Sequence, residues 1–122
     1  MNIVDASVLL AFAQGEEGAS QAEVVLEEGA CCGAANWSEV AQKVRAAGQD
    51  WDLVRALLDS YDITVEAVVR GDAEWATRRW QKGEGLSLAD RLCLALGERL
   101  EAEVCTADTT WGSSGRTRQL RR

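Results

Sequence analysis

The chain has 122 residues, a formal net charge of −7 and a pI near 4.6. That length supports one hydrophobic core but not two, so residues 1–122 are expected to form a single domain. The acid surplus argues against broad, salt-driven binding to nucleic acid. No apolar run approaches the ~18 residues that span a bilayer, and the acid at position 5 with no basic segment before it does not read as a signal peptide.

In chain order, residues 2–5 read as a short apolar strand ending in Asp5, and a helix starts at Ala6. The GEEG segment at 15–18 is a turn, and residues 19–28 carry Ala22, Val25 and Leu26 at helical spacing up to Gly29. Residues 30–35 are small and apolar, as in a tight buried strand. Asn36 is placed as the N-cap of a helix over 37–47, which puts Glu39 in that helix's first turn. Asp50 caps a helix over 51–60, residues 63–68 alternate as a strand, and Asp72 is read as the cap of a helix running to Trp80. Ser87 and Asp90 have the spacing of a capping box. Behind them Leu88, Leu92, Ala95, Leu96 and Leu100 form one buried face of a helix expected to be covered on most sides. Residues 104–108 return as a strand ending in Asp108, and the arginine-bearing tail holds at most one last edge strand. Strands alternating with helices predict an α/β fold: three layers, α/β/α, around a central, mainly parallel sheet.

The sequence has no histidine, so imidazole general bases and His-based triads are excluded. Its cysteines, Cys31, Cys32, Cys93 and Cys105, form no CxxC pair and read as buried thiols of a reduced, cytoplasmic protein. Any hydrolytic chemistry therefore falls to carboxylates and a metal. Open parallel sheets place ligands outside the carboxyl ends of their strands. Asp5 and Asp108 each close a strand, and Glu39 and Asp90 sit near the starts of helices that face the same edge. Four carboxylates converging there repel one another unless a hard divalent cation offsets them, with Mg²⁺ expected and Mn²⁺ the alternative. Each acid also has a plainer role. Asp5 can cap a helix, Glu39 can pair with Lys43, Asp90 can close its capping box and Asp108 can make an Asx-turn.

Taken together, VDASVLLAF, NWSEV, LSLADRLCLAL and VCTADTTW resemble the PIN domain, and within it the VapC-type toxins of bacterial and archaeal toxin–antitoxin pairs. The likeness runs from Met1 to Trp111. It implies a Mg²⁺- or Mn²⁺-dependent ribonuclease whose acidic quartet is Asp5, Glu39, Asp90 and Asp108, with Ser7 and Thr106 at supporting polar positions. It also implies an RNA substrate, a cognate antitoxin and a homodimer. The chain lacks the prolines usual in the family's first turn and before its last core strand. Arg91, Lys43 and the basic tail are candidate phosphate contacts, and the helices on either side of residues 47–50 are a candidate antitoxin groove. The five tryptophans are expected to pack rather than to stack on bases. The alternatives are a binding-only PIN module that has lost catalysis and a phospho-acceptor receiver domain. The receiver is disfavoured because neither Lys43 nor Lys82 closes a strand. A DxD phosphatase is disfavoured because Ser7 fills the third position.

Overall fold

The computed structural model describes residues 2–120. Within them lies a five-stranded, wholly parallel sheet in the order β3-β2-β1-β4-β5, formed by β1 (Asn2–Val4), β2 (Ala30–Gly33), β3 (Thr64–Glu66), β4 (Val104–Thr106) and β5 (Thr117–Gln119). The expected α/β/α layering is present. Alternation along each strand sends neighbouring residues to opposite faces. Val4, Cys32 and Cys105 join the cluster under α1 (Ala6–Ala13), α2 (Ala19–Glu27), α3 (Ala34–Ala46) and α4 (Trp51–Asp59). Ile3, Cys31 and Val104 join Cys93 and Leu96 of α6 (Leu88–Leu100) on the other face, where α5 (Arg70–Arg79) covers α6 from outside.

The chain runs outward from β1 to β2 to β3, then returns to place β4 on the far side of β1. That reversal opens a crevice beyond the carboxyl ends of β1 and β4, the place where such sheets bind ligands.

Several helix starts differ from the sequence reading. α3 begins at Ala34 with Gly33 as its N-cap, because β2 ends at Gly33, before its run of small residues over 30–35 does. Asn36 is therefore not a cap: it is buried, and its amide donates to the Ala89 carbonyl oxygen at 3.4 Å. Glu39 consequently lies in the second turn of α3 rather than the first. Asp72 does not cap α5 either. Val69 does, and Asp72 reaches back from the third helical position to accept its backbone N–H at 3.2 Å. The capping box of α6 forms as expected, with Ser87 N to Asp90 Oδ2 at 2.9 Å and Asp90 N to Ser87 Oγ at 3.1 Å. Leu88 is not part of the buried face. It is 58 % exposed, while Cys93, Ala95, Leu96 and Gly97 carry the burial. Gly97 is what lets α6 approach the sheet, since a Cβ there would stand 2.5 Å from Val104 Cγ2.

All four cysteines are buried free thiols, as expected, and burial raises the pKa of each, which leaves them unreactive. The doubtful tail strand exists as β5, hydrogen-bonded in parallel to β4. Of the tail arginines, Arg116 pairs with Glu98 at 3.6 Å, and Arg121 and Arg122 lie outside the described residues. Trp37 and Trp51 meet edge to face with ring centroids 5.4 Å apart, joining α3 to α4, and Trp111 packs against the α6 cluster. Among the described residues no helix is long and apolar enough to cross a membrane.

Candidate active site

Asp5, the residue after β1, is the most constrained group in the crevice. It is 3 % exposed, and its carboxylate is the side-chain cap of α1, accepting the Val8 N–H at Oδ1 over 3.2 Å. The same oxygen accepts from Ser7 Oγ at 2.6 Å, and Oδ2 accepts from Thr106 Oγ1 at 2.6 Å. Those two hydroxyls accept in their turn from the chain beyond β4. The Ala107 N–H donates to Ser7 Oγ at 2.8 Å and the Asp108 N–H donates to Thr106 Oγ1 at 3.0 Å. A closed hydrogen-bonded seam thus ties the end of β1 to the end of β4, and it fixes Asp5 relative to the backbone of Asp108. Ser7 and Thr106, the two polar positions the resemblance implies, each give a hydroxyl hydrogen bond to one oxygen of Asp5.

Asp5, Glu39, Asp90 and Asp108 line one cavity of about 340 Å³, together with Ser7, Ala107 and the outer wall. The plainer roles are all real as well. Asp5 caps α1, Glu39 lies 3.2 Å from Lys43 Nζ, Asp90 closes its capping box, and Asp108 accepts Thr110 N–H and Oγ1 at 2.9 and 2.7 Å. Capping sets the direction in which a short carboxylate points, so the two sets of roles are compatible: three of the acids are aimed by the helix ends they stabilise.

The electrostatics record the convergence. Burial pushes the Asp5 carboxyl up from the ordinary 3.8 to about 6; the bonds from Ser7, Thr106 and Val8 oppose the rise, and the charge of Asp90 adds to it. Burial also raises Asp90, against its bonds to Ser87, with Glu39 and Asp108 pushing the same way. Protonation is thus one way for the pocket to relieve its excess negative charge. A cation is the other.

The donor set suits a hard divalent ion, being all oxygen, and places no nitrogen or sulfur ligand in the crevice. As they stand, though, no three Asp, Glu or Cys side chains among the described residues are grouped tightly enough to close around a metal ion. The physical reason is local: Glu39 is drawn to Lys43, and one oxygen of Asp108 is committed to Thr110. The residues fit a metal in kind and in placement, and holding one requires side-chain rotation.

One supporting assignment fails. Arg91 does not line the cavity. Its Nη1 donates to the Ala76 carbonyl oxygen at 2.7 Å, and its Nε is buried without a partner. Adjacency to Asp90 in sequence turns it by ~100° around α6, away from the crevice and toward α5. Three wall residues were missed: Gln14, Glu16 and Glu17, which lie at and beyond the end of α1. Their sequence signal is only that of a polar turn, and the helix above Asp5 is what carries them to the pocket mouth.

The PIN domain family model matches residues 3–113. No curated protein matches the chain by sequence. Among solved structures, a chain of a toxin–antitoxin complex from Klebsiella pneumoniae superposes with a TM-score of 0.79 at 17 % identity, over 100 % of this chain and 99 % of that one. VapC20 of Mycobacterium tuberculosis, a toxin that cleaves the sarcin–ricin loop, superposes with a TM-score of 0.72 at 15 % identity, over 88 % of each chain. At such identities the superpositions establish the fold, and the sequence match establishes the family: this chain belongs to the PIN domain family.

Proposed function

We propose that the protein is a divalent-metal-dependent endoribonuclease, the toxin of a toxin–antitoxin pair. The observation that carries this reading is the crevice at the β1–β4 reversal, where Asp5, Glu39, Asp90 and Asp108 line one cavity and burial with neighbouring negative charge raises the pKa of Asp5 and of Asp90. The likeness of the fold to a toxin that cleaves the sarcin–ricin loop and to a chain of a toxin–antitoxin complex supports the substrate class and the partner.

In this reading Asp5 and Asp90 hold the principal ion, with Glu39 and Asp108 completing the site directly or through water. Bound Mg²⁺ or Mn²⁺ supplies Lewis-acid charge at the phosphorus and lowers the pKa of water. The protein's share is orientation. The Ser7–Thr106 seam keeps both Asp5 oxygens aimed, so little reorganisation is left for the reaction itself. Asp90 is steadied by its capping box, and Asp108, with one oxygen held by Thr110, would be the carboxylate that accepts a proton from water. Because water is the nucleophile, the RNA 2′-hydroxyl takes no part, and the products carry 5′-phosphate and 3′-hydroxyl ends.

The test is cleavage of labelled RNA with Mg²⁺ or Mn²⁺, set against the same reaction in chelator. Asp5→Asn and Asp90→Asn should each reduce the rate by at least ~10³-fold with the circular dichroism spectrum unchanged, since each removes a charge from the ion's ligand set. Undiminished cleavage by a clean Asp90→Asn preparation would sink the assignment.

A second reading is a PIN module that binds but does not cut. The observation favouring it is that no three acids are grouped to hold an ion as they stand. Cleavage of labelled RNA at saturating Mn²⁺ decides between the two, since a silent module gives none whether or not it binds the ion.

A further inference from the structure

Among the described residues Lys43 is the one cation on the wall of the cavity, which it shares with six carboxylates: Asp5, Glu16, Glu17, Glu39, Asp90 and Asp108. Arg91, another of the basic side chains expected near phosphate, does not line the cavity and is bonded to Ala76. Whatever positive charge the described residues offer a phosphodiester in this cavity therefore comes from Lys43.

Its present partner is Glu39, four residues back on α3, at 3.2 Å. Both side chains reach water, at 56 % and 31 % exposure, so the pair is weak and easily exchanged. The exchange has a direction. A divalent ion among the acids attracts Glu39 more strongly than one exposed ammonium does, because it carries twice the charge in a drier place. Glu39 then turns inward, and Lys43 is left with an unpaired charge on the wall where RNA must enter. A free, flexible ammonium is a good point contact for phosphate.

We propose that Lys43 exchanges partners during the cycle: it holds Glu39 out of the metal site before the ion binds, and it contacts the substrate phosphate afterwards. This rests on the metal-dependent nuclease reading above. It accounts for the ungrouped acids without requiring a dead site, and it gives a chain of net charge −7 a positive contact for an anion inside an acidic pocket.

The two halves predict effects of opposite sign, and partner exchange alone makes the first of them depend on Glu39. Removing the charge with Lys43→Gln frees Glu39 and leaves the cavity more negative, so Mn²⁺ alone, titrated by calorimetry at low salt, should bind roughly three- to fivefold tighter. The same variant should raise KM for RNA severalfold with kcat little changed, and Lys43→Arg should restore KM. In a Glu39→Gln background the effect of Lys43→Gln on Mn²⁺ affinity should shrink to the part due to the lost charge alone, because the competing pair is already broken, and an undiminished effect would refute the exchange. If wild type binds Mn²⁺ and cleaves RNA while Lys43→Gln matches it in both affinity and KM, the exchange is refuted and the nuclease reading stands. If wild type neither binds Mn²⁺ nor cleaves RNA, both fall together.

Discussion

At the scale of single residues, Asp5 shows how a buried carboxylate can be both fully hydrogen-bonded and ill at ease. Three donors stabilise its charged form, yet dehydration outweighs them and lifts its pKa to about 6. The sign of the consequence follows from linkage. In the unfolded chain Asp5 ionises near 3.8, so below that pH both states are protonated and its folded-state cost is absent. As pH rises through 6 the folded protein must ionise it in a dry place, and on the order of 3 kcal/mol of stability is lost without metal. Denaturant melts of metal-free wild type and Asp5→Asn between pH 4 and 7 should therefore diverge, the variant losing less stability as pH rises. A difference that stayed constant with pH would mean the carboxyl is not strained. Mn²⁺ should narrow the gap, since binding only the folded wild type raises its melting temperature.

Elements are held in place by a few contacts that sequence periodicity does not reveal. α6 sits close to β4 only because residue 97 has no side chain. Gly97→Ala should destabilise the protein by about 1–3 kcal/mol: the clash with the stiff Val104 side chain exceeds the up to ~1 kcal/mol of helix propensity that alanine gains. Its denaturant midpoint should fall, and an unchanged midpoint would show that β4 can yield. Helix boundaries were less legible for a related reason. The start of α3 is decided by where β2 stops pairing with β1 and β3, which is a tertiary event, so a good capping residue at 36 was overruled and spent in the interior.

Across the whole molecule, the α5 layer is pinned to α6 by one buried ion pair. Arg99 donates to both oxygens of Asp72 at 3.0 and 3.2 Å and to the Ala67 carbonyl oxygen at 3.2 Å. Asp72 is only 5 % exposed in its side chain while Arg99 is 33 % exposed, so Arg99→Met strands a buried acid that water cannot easily reach. The expected cost is about 2–3 kcal/mol in urea unfolding, somewhat under that of a fully buried pair. Asp72→Asn, which can keep its capping bond to Val69, should cost less.

The sequence by itself determined the alternation of strands and helices, the acids at the ends of β1 and β4, and the capping box that aims Asp90, because these depend on residue type and on spacing within a turn or a strand. The likeness carried by VDAS, SEV, LADR and TAD added the family. Only the tertiary structure decided which charges share a pocket. Asp90 and Arg91 are adjacent in the chain and end on different sides of a helix, whereas Ser7 and Thr106, 99 residues apart, meet across two strands and hold the same carboxylate. Covalent neighbours are separated by helical rotation and distant ones are joined by strand pairing, so no local pattern shows which side chains a crevice at the reversal of strand order brings together.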